Sequence, residues 1–462
     1  MRVNLIGSQQ KALSVVLSNQ ESINCYIVPT PGGRNSIGLV GSPGSIKLAT
    51  IAGLCRGAWN MSNIAYMVFG NALYRINSDL TGTNLGFIAG TDRVSMADNG
   101  NQLVIVTGSG NSGYVYVAST GLLNTITDPD FPGADTTSYV DGYFLFSTTE
   151  GQWFLSALGD GTQYDALDFA TNEKSPDDTL AIVEDHGEAI CFGEETIEPW
   201  TNTGNADFPF ERNGSGIMER GLYARFSVSK DDNTLFFLGD DLMVYRLNGY
   251  TPTIVSDEGT NTELSNYLKD GYETDLRNAF AFTYTDHGHK FYQLTVPNRG
   301  THVYDISTRE WHRKKHWDYE THHASAYAQA YGKHLFGGLE GNLYELNRDA
   351  KDDDGRYLKP LRRCRVVSQD GKRLRWKKLE LVMDSGNGLI SGQGSDPQLA
   401  IRWSDDNGRT WSNERQLGLG VMGDYSKTVI TRNMGSSRER IIEFYITDPV
   451  PFVVADAYAV IV

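Results

Sequence analysis

The chain is 462 residues long with a formal net charge of −16, 49 glycines, an aromatic content of 11% and four cysteines. Such a length allows a large core and two or three domains, and so acidic a balance excludes a protein whose main task is to grip phosphates. Glycine and aromatic content without long Ala/Leu/Glu/Lys stretches points to an all-β fold.

Residues 1–35 read as an irregular N-terminal arm, interrupted by one strand-like run, Ile23–Val28, that Pro29 and Gly33 break. No secretory core precedes it and no apolar run reaches spanning length, so no membrane anchoring is expected. From Cys55 onward short β-branched and aromatic runs alternate with Asp/Asn/Gly turns. They group into units starting near Cys55, Asp92, Asp135, Thr179, Gly221, Leu276 and His323. The middle of the unit repeats best: Ala65–Ile76, Leu235–Arg246 and His334–Glu345 each run a hydrophobic strand into a Gly-containing turn and a strand carrying Tyr. A spacing of about forty residues is that of propeller blades. The expectation is a β-propeller over 36–348, seven-bladed by count and six-bladed if two units merge. The last unit is short by one strand, and Ser45–Ile51 is the candidate to complete it. A short helix is expected within Asn261–Tyr272, where Thr262 and Glu263 precede Leu264 and Leu268.

Residues 349–355, rich in aspartate, read as a linker. The calcium-loop spacing fails there, because Ala350 and Leu361 fall where the first and last carboxylates belong. A β-sandwich is expected over 356–462. Its first part, Arg356–Lys378, holds ten basic residues against one acid, so the remainder is more acidic than the whole. Arg363 and Arg365, then Arg373, Arg375 and Lys377, recur with period two and would share one face of a hairpin. With Arg362 they form a candidate contact to acidic neighbours. Ser404, Asp406, Gly408 and Trp411 fit the Asp-box, a structural hairpin motif found in many sialidases among other proteins.

No catalytic constellation emerges. The cysteines (Cys25, Cys55, Cys191, Cys364) are far apart and fit reduced thiols. Eight of nine histidines lie between His287 and His334, but His312 and His316 sit at a strand end rather than on a helix that would align them as ligands. Phosphate loops, nucleophile elbows and zinc signatures are missing. The expectation is no cofactor, no metal and no enzymatic activity.

Thr196–Arg212, Ala279–Pro297, Val303–His312 and Gly392–Glu414 resemble the packaged-DNA stabilisation proteins of short-tailed phages, also called tail hub or nozzle proteins. The likeness runs from about Asn24 to the end. It implies a structural virion-tail protein without catalytic residues, made and assembled in the bacterial cytoplasm. The resemblance further implies a homo-hexameric ring below the portal and its head-to-tail adaptor ring. Such a ring extends the DNA channel, carries spikes, fibres or a needle-like plug, retains packaged DNA and permits its ejection, with double-stranded DNA passing unread. The alternative is a glycan-binding or sialidase-like surface propeller.

Overall fold

A computed structural model describes residues 2–108, 112–148, 151–171 and 178–462. Seven antiparallel units stand around an axis, each a chain-ordered run of strands. Their innermost strands are Cys55–Met61, Ser95–Asp98, Thr136–Val140, Thr179–Asp185, Ser229–Asp231, Phe280–Asp286 and Ala324–Ala330. The seventh unit holds only three consecutive strands, and Gly44–Ala52 supplies its fourth by pairing with Gly341–Asn347. That pairing ties the early chain to the last blade and closes the ring.

Turn chemistry sets the first hairpin of most blades. The pairs Ser62–Asn63, Asp141–Gly142, His186–Gly187, Asp232–Asn233, His287–Gly288 and Tyr331–Gly332 all take positive φ. Two such residues make the tight turn whose twist matches paired strands, and Asn, Asp and Gly adopt it with least strain. A sheet this small cannot cover its own two faces, and the neighbours do so. Tyr66, Val68, Leu103 and Ile105 fill the space between the first and second blades. Val104, Val106, Phe144 and Phe146 do the same for the second and third. The seventh blade meets the first through Ala326, Leu335, Met67 and Phe69.

Between the fifth and sixth blades lie two helices, Glu258–Lys269 and Glu273–Arg277. The first begins where Asp257 accepts the amide hydrogen of Thr260 at 2.8 Å, a side-chain N-cap. It buries Leu264 and Glu263, the latter paired with Arg313 at 3.1 Å.

The rest forms a two-sheet sandwich, and here the expected boundaries need correction. The first 35 residues are not an irregular arm: Asn19–Ile23 and Cys25–Pro29 are strands. One sandwich sheet runs Asn19–Ile23, Leu361–Arg363, Glu439–Tyr445, Gln398–Ser404, Arg415–Gly418. The other runs Cys25–Pro29, Ile37–Gly41, Val453–Ile461, Leu374–Met383, Val429–Arg432. Cys25, Ile27 and Leu39 pack with Trp376, Leu381, Ile401 and Phe444 in one core, so residues 37–41 belong to the sandwich and not to the propeller. The stretch expected as a linker also carries structure. Asp352–Asp353 adds to the seventh blade beside Ser45 and pairs with Arg356–Tyr357. The hairpin of Cys25–Pro29 with Ile37–Gly41 buries only by joining a sheet supplied from elsewhere, through Leu39 and Val40 opposite Val454 and Val453, more than 400 residues away.

The sandwich is also continuous with the propeller. Ile23 pairs in parallel with Arg313 on the outer strand of the sixth blade and antiparallel with Leu361 on its other side.

Candidate interaction surfaces

Arg362 and Arg363 were expected at the surface; the structure buries Arg362 fully and Arg363 in part. Arg362 is fully buried and donates to the carbonyls of Leu5 at 3.1 Å and Ser8 at 2.7 Å. It also donates to Ser22 Oγ at 2.9 Å and Gln20 Oε1 at 2.7 Å. Arg363 pairs with Glu21 at 2.9 Å and with the buried Glu443 at 2.8 Å. A guanidinium offers five donors in a planar fork; the N-terminal segment uses those of Arg362, which removes that residue from any docking role, while the half-buried Arg363 is braced between Glu21 and Glu443.

Arg365, Arg373, Arg375 and Lys377 do stay exposed, together with Lys372. Along Leu374–Met383 the pleat sends Leu374, Trp376, Leu379 and Leu381 to the core and Arg375 and Lys377 to solvent. Among the described residues, none of these five cations has a carboxylate within salt-bridge reach. Leu361–Arg363 and Leu374–Met383 lie in different sheets, so the expected hairpin with one basic face does not form, and the five cations are exposed positions without an ion pair among the described residues.

The Asp-box is a local brace. Ser404 donates to Asp406 Oδ1 at 2.7 Å and accepts from the Gly408 amide at 2.8 Å. Thr410 donates its amide and its hydroxyl to Asp406 at 2.8 and 2.6 Å. These donors, Thr410 first, hold the Asp406 carboxyl down at about 2. Gly408 has φ +91°, and a Cβ there would lie 2.4 Å from Asn19 Nδ2. The box thus packs against the N-terminal strand. Trp411 is only half-buried and lies between Arg402 and Arg363, 4.7 and 5.3 Å from its ring centroids. The deeply buried tryptophan of the sandwich is Trp376.

Two chambers line the propeller axis. One, of about 610 Å³, is walled by the innermost strands and includes Trp59, Asp98, Tyr139, Glu184 and Lys230. The other, of about 870 Å³, opens towards Arg56, Tyr223, Arg277, Asn298 and Tyr319. Arg93, Arg225, Phe226, Phe280 and Ser325 line both and form a waist. Arg225 pairs with the buried Asp135 at 2.6 Å. Arg93 lies 3.4 Å from the centre of the Phe280 ring and donates to Ser325 O and Oγ. Sequence reasoning missed this waist. The signal was the recurrence of Asp92-Arg93-Val94-Ser95 as Ala224-Arg225-Phe226-Ser227 at the start of two blades.

Most of the histidines serve the propeller core, while His186 and His287 lie exposed in blade turns. Burial pushes His302 down to about 4 and His312 and His323 to about 3, so they pack as neutral rings. Among the described residues no group of three ligand-type side chains is arranged to hold a metal ion, and no helix is long and apolar enough to cross a membrane.

A family model described as bacteriophage P22 Gp10, beta-propeller, matches residues 2–351, and one described as bacteriophage P22 Gp10, beta-sandwich, matches residues 361–462. The chain belongs to the bacteriophage P22 Gp10 family. That family is structural and concerned with stabilising packaged DNA, so the resemblance in Thr196–Arg212 and Gly392–Glu414 pointed to the right group and to a virion component. The Gp10 pairing of propeller and sandwich is also the architecture described above. No curated relative matches the sequence. Among solved structures, the extracellular domain of a putative hybrid two-component system from B. thetaiotaomicron is similar at 12% identity and TM-score 0.44, over 83% of this chain and 48% of that one. The computationally designed Ika8 protein is similar at 14% identity and TM-score 0.40, over 71% of this chain and 100% of that one.

Proposed function

We propose that this protein is a tail hub or nozzle subunit of a short-tailed phage. Six copies form a ring below the portal and adaptor, extend the DNA channel, retain packaged DNA and permit its ejection. The observation that carries the reading is a set of exposed sandwich cations, Arg365, Lys372, Arg373, Arg375 and Lys377, without an ion pair among the described residues, on a chain of net charge −16. Copies so acidic repel one another, and exposed cations set against an acidic neighbour offset that repulsion and fix register. Repeated head-to-tail, one such contact closes a ring about an axis.

The path of DNA in this reading is the centre of the ring and not the axis of each propeller. The waist at Arg93 and Phe280 divides that axis into two small chambers, which leaves no room for a duplex. An acidic wall also suits a conduit, because each phosphate neutralised by a cation adds to the affinity that ejection must overcome.

Charge reversal of Arg365, Arg373 and Arg375 to Glu tests the proposal. Assembly on portal complexes at physiological salt, counted by negative-stain microscopy, should fall at least tenfold while the monomer keeps its melting temperature. Exposed pairs contribute only about 0–1 kcal/mol each, so single reversals should have small effects. Undiminished assembly of the triple variant sinks the contact assignment. Tight, steeply salt-dependent duplex binding by the unsubstituted protein, abolished by the same reversal, makes these cations a DNA clamp instead.

A further inference from the structure

Between residues 94 and 171 the chain holds nine Asp and Glu and no Lys, Arg or His. That span is the second and third blades, so the fold gathers the imbalance into one wedge of the propeller. Among the described residues of the wedge, Asp135 alone has a cation within salt-bridge reach, Arg225 from the approach to the fifth blade. The outer strand of the third blade, Asp160–Thr171, is 12 residues long, against three to six in the outer strands of the first, second, fourth, fifth and sixth blades. It pairs on one side, with Gln152–Ala157, and leaves its other edge open among the described strands. Leu167 is 81% exposed on it and Phe169 46%. Asp165 and Phe169 share a recess of about 480 Å³ with Pro129, Asp130 and Phe154. Asp128 ties the walls of that recess together by accepting the Tyr164 amide hydrogen at 3.1 Å. Burial, and then the charge of Asp165, push the Asp168 carboxyl above its ordinary range, as expected of neighbouring acids without a counter-cation. A long open edge with exposed apolar side chains and unpaired carboxylates is suited to being covered by a protein surface of opposite charge.

We propose that the outer edge of the third blade, with Asp128, Asp130, Asp165 and Asp168, receives the exposed sandwich cations of a second copy of this chain. This names the acidic neighbour in the ring reading above and rests on that reading. The sandwich joins the propeller at the sixth blade, where Ile23 lies beside Arg313, so the third blade stands across the ring of blades from it. Each copy thus carries its cations on one side and its acidic edge on the other. The recess takes a long basic side chain, whose apolar stem lies along Phe169 while its head group meets Asp130 and Asp165. Two different surfaces meet, so the contact is head-to-tail and passes from each copy to the next.

Two triple variants of the full chain, scored for assembly on portal complexes by negative-stain microscopy at physiological salt, test it. Asp130→Lys, Asp165→Lys and Asp168→Lys together should lower assembly about tenfold or more while the monomer keeps its melting temperature, as reversal of Arg365, Arg373 and Arg375 to Glu should. Both triples in one chain should restore assembly, because every contact then sets Lys against Glu. Assembly that falls for the Arg variant but not for the Asp variant overturns this acceptor and leaves the ring reading standing. A combined variant as defective as its parents does the same. Undiminished assembly of both variants overturns this contact and the earlier assignment together. Should the Asp variant fail to fold, carbodiimide cross-linking of assembled, unsubstituted protein from mixed isotope-labelled and unlabelled chains decides. A link between copies from Lys372 or Lys377 to Asp128, Asp130, Asp165 or Asp168 supports the contact. Links between copies that all lie elsewhere, or none, overturn it.

Discussion

Replacing Arg362 by Met should destabilise the sandwich by about 3–5 kcal/mol, because several buried neutral acceptors lose a charged donor. Methionine refills much of the side-chain stem, so the cavity contribution is small. The loss falls on four acceptors, Leu5 O, Ser8 O, Gln20 Oε1 and Ser22 Oγ, which the guanidinium reaches between 2.7 and 3.1 Å. A hydrogen bond to a charged donor contributes about 1.5–3 kcal/mol, but four from one fork are not additive, and water entering behind Met re-satisfies some of them. Gly7 leaves no slack for rearrangement, since a Cβ there would lie 2.7 Å from Arg362 Nη2. Urea unfolding followed by tryptophan fluorescence reads the loss, because Trp376 and Trp403 report on the sandwich. Tryptic cleavage at Lys11 should accelerate in step, since the segment the arginine anchors is then freed. The exposed Arg365→Met should stay within about 0.5 kcal/mol of the unsubstituted protein. A loss below about 1 kcal/mol for Arg362→Met, with Lys11 still protected, refutes the view that this arginine holds the N-terminal segment.

Two further outcomes follow from the same geometry. Trp411→Ala should cost about 1–2 kcal/mol, since the half-buried ring loses two cation–π contacts, whereas the buried Trp376→Ala should cost about 3–5 kcal/mol; equal losses in urea unfolding contradict the placement. Burial pushes the Asp353 carboxyl up to about 7, with Ser45 donating to it at 2.9 Å. The native state then binds that proton more tightly than the unfolded chain, so stability should fall as pH rises from the ordinary carboxylate range to about 7. Asp353→Asn should flatten that fall in melting temperatures between pH 5 and 8, and an unchanged slope refutes it.

Local grammar made the propeller legible. Turn pairs such as Asp232–Asn233 and the repeated strand pairs announced each blade, and period two along Arg373–Lys377 predicted which side chains of the Leu374–Met383 strand face solvent. Long-range pairing was not legible. Arg362 and Arg363 read as more of the same basic stripe because nothing near them in sequence says that Gln20, Glu21 and Ser22 lie alongside. The Asp-box pattern was recognised, yet its glycine is crowded by Asn19, a residue almost 400 positions earlier. Arg93 and Arg225 escaped notice because each sits in a short connection just before a strand, and only the closed ring brings them to one waist.

The interleaving of the two chain ends has a mechanical consequence. Asn19–Ile23 pairs with the outer strand of the sixth blade on one side and with Leu361–Arg363 on the other, and the sheet continues through Glu439–Tyr445 to Gln398–Ser404 and Arg415–Gly418. One hydrogen-bonded ladder therefore runs from the propeller axis to the far edge of the sandwich. Domains joined by a single linker are free to move relative to each other. Here relative motion requires breaking the pairing at Ile23 and pulling the buried Arg362 off its acceptors, so both domains respond as one body. A contact made on the exposed cations of the sandwich is thereby transmitted to the blades without a hinge, which is the stiffness that the proposed ring would need.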